Sequence, residues 1–212
     1  MTMNIRYKLT EQDLTTYNDT KWVLNEWKET SGKGELCTGG WLHCYSDPLL
    51  AILLNPAHAN ITNPKLFKCE VEGKCLTDNG LKEGWTRMRI IEEVPFPQLS
   101  EINKIAFGIL CALEVNNDEE FVKWAKNWLE NKDRSKESAY DVSSTVYYGY
   151  YAAKIKSDNY AAKIKTCCYY AVTAVCYPFS SYRYSAAVIS SKTAKANNTN
   201  LIKLAEKAME IK

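Results

Sequence analysis

No stretch of this chain is long and apolar enough to cross a bilayer. The longest compact apolar run, Leu49–Leu54, falls far short of the roughly 20 residues that a spanning helix needs. The first residues, Met1-Thr2-Met3-Asn4-Ile5-Arg6, lead into a polar run, which does not fit a secretory signal. The expectation is a soluble protein with no membrane contact. No phosphate-cradling Walker loop, no G-x-G-x-x-G turn and no H-E-x-x-H helix occurs, so the motifs that mark nucleotide-binding loops and zinc proteases are missing. No C-x-x-C pair occurs either. Cys37, His43, Cys44 and His58 are the only conceivable zinc set, and their spacing fits no known ribbon or finger, so no metal and no cofactor are expected. The charge of +2 is too small to imply a nucleic-acid partner by itself.

Eight cysteines are present, at 37, 44, 69, 75, 111, 167, 168 and 176. A chain of 212 residues buries enough surface to need no staples, and Cys167 and Cys168 are adjacent. These thiols therefore read as reduced, mostly buried small hydrophobes. With 46% hydrophobic and 25% charged residues, the composition is that of an ordinary globular protein.

The stretch Gly34–Pro48, running on into Leu49–Asn55, is the organising element of the first half. It reads as strand, Gly39-Gly40 turn, strand, then a short helix ending at Asn55-Pro56. Asp47 marks the helix start by offering a carboxylate to the free amides of the first turn, and Pro48 suits the first helical position. Ile5–Leu9 and Trp22–Trp27 are strand candidates around a turn at Asn18-Asp19. Asn60–Pro64 breaks the chain. Leu66–Glu72 alternates, with Leu66, Lys68, Glu70 and Glu72 on one face and Phe67, Cys69 and Val71 on the other. Trp85–Glu92 repeats the theme, and Pro95-Phe96-Pro97 ends it.

From Leu99 the period changes to three and four. Ser100 precedes a helix with Ile102, Ile105, Ala106, Ile109, Leu110 and Leu113 on its apolar face, and Asp118 opens another whose stripe is Phe121, Trp124, Trp128 and Leu129. Asn131–Ser135 is a break, and three or four further helical segments follow, interrupted at Ser157–Asn159, Pro178 and Asn197–Asn200. Tyr151–Lys156 recurs as Tyr160–Lys165. The nine-residue offset is no solenoid period and reads as a local duplication. The fold expected is α+β: a small, mostly antiparallel sheet unit with one short helix over residues 1–97, then a helical bundle over 98–212, with a shared core left open.

The two halves differ chemically. All six Trp lie at or before Trp128, whereas 11 of the 14 Tyr fall between Tyr140 and Tyr184. Net charge runs from −2 in the first half to +4 in the second. Tyrosines interleaved with lysine can stack on bases and hold phosphates. They equally suit bundle edges, rings buried and hydroxyls wet. Arg183, between Tyr182 and Tyr184, is the only arginine after Arg134, and its planar fork grips phosphate or carboxylate. His43 supplies a tunable imidazole near Cys37, but no recognisable motif fixes an acid beside it. Glu70 and Glu72 share a strand face with Lys68, which gives a solvated charged surface. His58 reads as a loop-packing residue. No catalytic residue is assigned. The candidate ligand-binding residues are Gly39, Gly40, His43, Tyr147, Tyr148, Tyr151, Tyr182, Arg183 and Tyr184, around a pocket between the glycine turn and the tyrosine-bearing helices.

Leu36–His43, Asp47-Pro48, Cys69–Gly73 and Leu81–Gly84 together resemble an uncharacterised domain common in bacteriophage genomes, over about residues 5–95, with an Ala/Tyr-rich helical tail of the same style. The resemblance implies a phage accessory protein in the cytoplasm of a bacterial host. It brings no activity with it. The expected function is non-enzymatic: binding a host protein or a small nucleotide signal to counteract host defence. A second likeness is to the ADP-ribosyltransferase-like fold, which implies NAD chemistry with Arg6 on the first strand, Ser46 at the end of the second and Glu70 or Glu72 later; the Ser-Thr-Ser run of that fold is absent. A structural or virion-associated subunit is the third reading, and self-association stays open.

Overall fold

A computed structural model describes residues 4–155, 159–176, 188, 191, 193–195 and 197–212. The architecture is α+β, and the chain divides into two compact units, Met1–Gln98 and Leu99–Lys212. The first contains strands β1 (Ile5–Thr10), β2 (Thr15–Thr16), β3 (Thr20–Lys21), β4 (Lys28–Glu29) and β5 (Leu42–Cys44), helix α1 (Pro48–His58), and the long strands β6 (Lys65–Thr77) and β7 (Glu83–Val94). The second contains α2 (Glu101–Leu113), α3 (Glu119–Leu129), α4 (Lys136–Ile155), α5 (Asn159–Cys176) and α6 (Leu201–Met209).

In the first unit β1 pairs with β6, β6 with β7, and β7 with both β4 and β5, all antiparallel. Just past β5, Tyr45 and Tyr7 exchange backbone hydrogen bonds of 2.8 Å in both directions. The ladder β1–β6–β7–β5 therefore returns to β1 and closes on itself, which removes an unpaired edge. Its interior holds Trp22, Leu42, Cys44, Phe67, Cys69, Val71, Met88 and Ile90.

Helix α1 starts where Asp47-Pro48 places it: the Asp47 carboxylate accepts from the amide of Leu49 at 2.8 Å. It does not stop at Asn55-Pro56 but runs one residue past Ala57 to His58. The Asn55 carbonyl accepts the amides of Ala59 and Asn60, and its side chain exchanges hydrogen bonds with the backbone of Ile61 at 2.8 and 3.1 Å. The turn beyond Pro56 is held from its far end. His58 is thus helical, with its ring stacked on Tyr45 at 6.0 Å, and is not a loop residue.

Two expected strands are absent. Trp22–Trp27 is irregular because Asn25 adopts φ 65° and donates its amide to Ile90 at 2.8 Å; a left-handed residue turns an extended chain. The run before the glycine turn is also irregular, with Gly34 at φ 84° and the Thr38 amide bonded to the Glu35 carbonyl at 3.1 Å. The β6 faces differ as well. A register shift between Lys68 and Cys69 accompanies burial of Glu70, so Glu70 leaves the solvated surface on which alternation put it.

The second unit follows its caps. Ser100 and Asn103 form a reciprocal capping box at α2, and Asp118 accepts the Phe121 amide at 3.2 Å at α3, each satisfying donors that a helix start leaves open. Phe121, Trp124, Ala125 and Trp128 form the buried stripe of α3, while Leu129 is only half covered. The two copies of the duplicated hexapeptide fall on the end of α4 and the start of α5, with residues 156–158 outside the description. All eight cysteines are free thiols, six of them buried. No helix among the described residues is long and apolar enough to cross a membrane.

Candidate functional site

Gly39 and Gly40 form a turn that delivers the chain into β5. Gly40 is required sterically: a Cβ there would meet the Lys33 carbonyl oxygen at 2.0 Å, whereas one at Gly39 would meet nothing within 4 Å. The loop is tied down by the Trp41 indole, which donates to the Gly34 carbonyl at 3.0 Å, and by the Gly32 amide, which donates to the Gly40 carbonyl at 3.0 Å.

His43 stands on β5, half-buried. Its Nε2 contacts the Leu36 carbonyl oxygen. A carbonyl can only accept, so Nε2 carries the proton. Burial pulls the imidazole pKa below its ordinary value, the Leu36 contact opposes this, and the cations of Lys8 and Lys82 reinforce it. The ring is therefore a neutral donor fixed to the loop.

Lys8 is the residue that sequence reasoning missed. It sits on β1, buried, with Nζ donating to the His43 carbonyl at 2.8 Å and lying 4.6 Å from the Trp22 ring centre. Burial lowers its pKa, and Cys69 and Cys44 partly offset this. Cys44 is pushed well up by burial and by its hydrogen bond to Cys69. An amine and two thiols thus share the ring's interior. No alternation pattern marks a strand lysine as inward-facing. Lys82, whose Nζ donates to Cys37 Sγ at 3.1 Å, was missed for a different reason: the two residues are far apart in sequence.

The acidic and basic residues raised by the transferase likeness are already engaged. Arg6 pairs with Glu83 at 2.6 Å, Glu70 with Arg89 at 2.5 Å, and Glu72 with Arg87. Glu83 also accepts the Trp85 indole at 2.7 Å. No group of three metal-ligating side chains occurs among the described residues. An open cleft of about 470 Å³ lies at the other end of β6 and β7, walled by Pro64, Leu66, Val94 and Phe96 with the Lys65–Glu93 ion pair at 3.4 Å; none of the expected site residues lines it.

In the second unit, Tyr147, Tyr148 and Tyr151 lie on α4 and are exposed, as is Tyr140 on the same helix. Spacings of three and four bring Tyr140, Ser144, Tyr147, Tyr148 and Tyr151 to one side, flanking the buried seam of Ala139 and Val146. The Tyr147 hydroxyl donates to that of Tyr151 at 3.2 Å, and their rings lie edge to face at 4.7 Å. Tyr169 of α5 adds a ring 5.7 Å from Tyr147. Tyr182, Arg183 and Tyr184 lie outside the described residues.

Residues 4–102 match the family model described as a domain of unknown function (DUF7666). The DUF7666 match covers the closed sheet and α1, and stops at the first residues of α2. Its description names no activity. No curated protein and no solved structure matches the chain.

Proposed function

We propose that this chain is a non-enzymatic binding protein that engages another protein through the tyrosine face of α4 and α5. The observation that carries the reading is the cluster itself: among the described residues Tyr140, Tyr147, Tyr148 and Tyr151 stand exposed on one helix, with Tyr148 73% open to solvent. Tyrosine offers a large amphipathic contact area at small entropic cost, which is why it concentrates at protein interfaces. Ser144 and Thr145 between the rings are exposed as well and add adaptable hydrogen bonding. Glu137 and Asp141, exposed beside the rings, would repel a phosphate, so a protein surface suits the face better than a nucleotide does. The bacteriophage-like loop motif supports a host factor as the partner, and blunting host defence as the purpose.

The test is site-specific photo-crosslinking in a bacterial host. Tyr148→p-benzoylphenylalanine should give one discrete protein adduct, and the same replacement at Tyr17, which is 89% exposed in the first unit, should not. Equal adducts at both positions, or none at 148, would defeat the proposal. Protection of the tyrosine face by nucleotides would move it to the small-ligand reading.

A further inference from the structure

Two thiols of the chain are exposed, Cys37 and Cys75, and their neighbours differ. Cys37 Sγ accepts a hydrogen bond from Lys82 Nζ at 3.1 Å. Cys75 is pushed up by partial burial and by the Glu83 carboxylate, with Arg6 opposing. The form of a thiol that reacts with peroxides is its anion, and a neighbouring cation is what binds that anion. The backbone on both sides of the contact is anchored. Thr38, next to Cys37, anchors the loop through its hydroxyl to the Glu35 carbonyl at 2.8 Å. On the other side the Lys82 carbonyl accepts the Asp78 amide at 2.9 Å, and Leu81 is buried.

We propose that Cys37 is a peroxide-reactive site and that the Lys82 amine captures its sulfenic acid, forming a reversible S–N bond between the glycine-turn loop and the turn before β7. In the first step the Cys37 thiolate attacks a peroxide oxygen. The O–O bond breaks and an S–O bond forms, the sulfur gives up two electrons, and hydrogen peroxide is reduced to water. In the second step Lys82 Nζ, after releasing a proton to solvent, attacks the sulfur. The S–N bond forms, the S–O bond breaks, and the departing hydroxide takes a proton to become water, with no further change in oxidation state. A sulfenic acid condenses with a backbone nitrogen to a sulfenamide, and the Lys82 amine, 3.1 Å from the sulfur, offers a nitrogen for the same reaction. Reduction reverses it: one external thiol attacks the sulfur and frees the amine, and a second releases Cys37 as thiol and leaves as disulfide. The crosslink would lock the loop whose Leu36 carbonyl holds His43.

The experiment treats the reduced full chain with hydrogen peroxide at about one equivalent and maps it by peptide mass spectrometry. The expected product is a Cys37–Lys82 peptide pair two hydrogens lighter than its parts, which dithiothreitol restores. Lys82→Arg keeps the cation beside the sulfur but should abolish the crosslink, leaving a Cys37 sulfenic acid that dimedone traps as fast as peroxide consumes the wild-type Cys37 thiol. Lys82→Gln should slow that trapping severalfold. Oxidation of Cys75 as fast as Cys37, direct passage of wild-type Cys37 to sulfinic acid, a disulfide from Cys37 to another cysteine, or an unchanged trapping rate in Lys82→Gln would each overturn the proposal.

Discussion

Lys8 Nζ lies 4.6 Å from the centre of the Trp22 ring, inside the closed sheet, with no carboxylate paired to it among the described residues. The aromatic face and the His43 carbonyl compensate only part of the lost hydration, because a buried ammonium without a counter-ion remains costly. Lys8→Met should therefore stabilise the protein, by about 1–3 kcal/mol at neutral pH. The sign of the pH dependence follows from the lowered folded pKa of Lys8. Between that value and the unfolded one near 10.5 the unfolded chain binds more protons, so wild-type stability gains with rising pH through this window. The advantage of the variant should shrink accordingly towards pH 10. Urea unfolding of both proteins at several pH values checks this, and a gap that stays constant would show that Lys8 is not buried as a strained cation.

Glu70 pairs with Arg89 at 2.5 Å, with its own side chain only 11% exposed. Arg89→Ala strands that carboxylate. Breaking a fully buried pair costs about 3–5 kcal/mol, and Arg89 keeps 31% of its side chain in solvent, so about 2–3 kcal/mol is expected here. Glu70→Gln with Arg89→Ala should recover most of the loss, because no charge is then left buried. Thermal melts of the two variants decide between them, and equal losses would mean that packing of Arg89 on Trp27, 4.8 Å away, matters more than the charge.

The parts of this fold legible in the sequence are those whose chemistry spans a few residues. Asp47, Ser100 and Asp118 each cap a helix through an amide two or three positions on, and the alternation of β7 places Met88 and Ile90 inside. Tyr147, Tyr148 and Tyr151 share a face because one helix carries all three. The illegible parts depend on pairing between distant segments. Trp22–Trp27 has strand-like composition, but Asn25 turns to reach Ile90. Glu70 looks solvated until Arg89 comes beside it. Lys8 is buried only because the Tyr7–Tyr45 bridge closes the ring, and nothing within a few residues of Lys8 encodes that closure.

Asn103 joins two helices of the second unit. Its Oδ1 caps Ser100, and its Nδ2 donates to the carbonyls of Ala208 at 2.8 Å and Ile211 at 3.0 Å, at the end of α6. Asn103→Asp retains the acceptor but removes the donor and turns a charge towards two carbonyl oxygens. It should cost about 2–3 kcal/mol, more than the roughly 1 kcal/mol of a lost cap alone. Hydrogen exchange distinguishes the two contributions. The amides of α6 should exchange much faster in Asn103→Asp, whereas Ser100→Ala should chiefly loosen the first turn of α2.

The adjacent glycines of the turn before β5 make the sharpest contrast. At Gly39 an added Cβ meets open space, and the residue is not among the glycines with positive φ. Gly39→Ala should be neutral or stabilising by up to about 1 kcal/mol, since it restricts the unfolded chain without strain. At Gly40 the same methyl would stand 2.0 Å from the Lys33 carbonyl oxygen, and backbone must move to admit it. Because Leu36 lies between these two points and holds the His43 ring, displacing the loop releases the imidazole. Gly40→Ala should therefore lower the melting temperature and also broaden or shift the His43 ring resonances in NMR spectra. If the two alanine variants behaved alike, the loop would not be held against Lys33, and the fixed orientation of His43 would lose its physical basis.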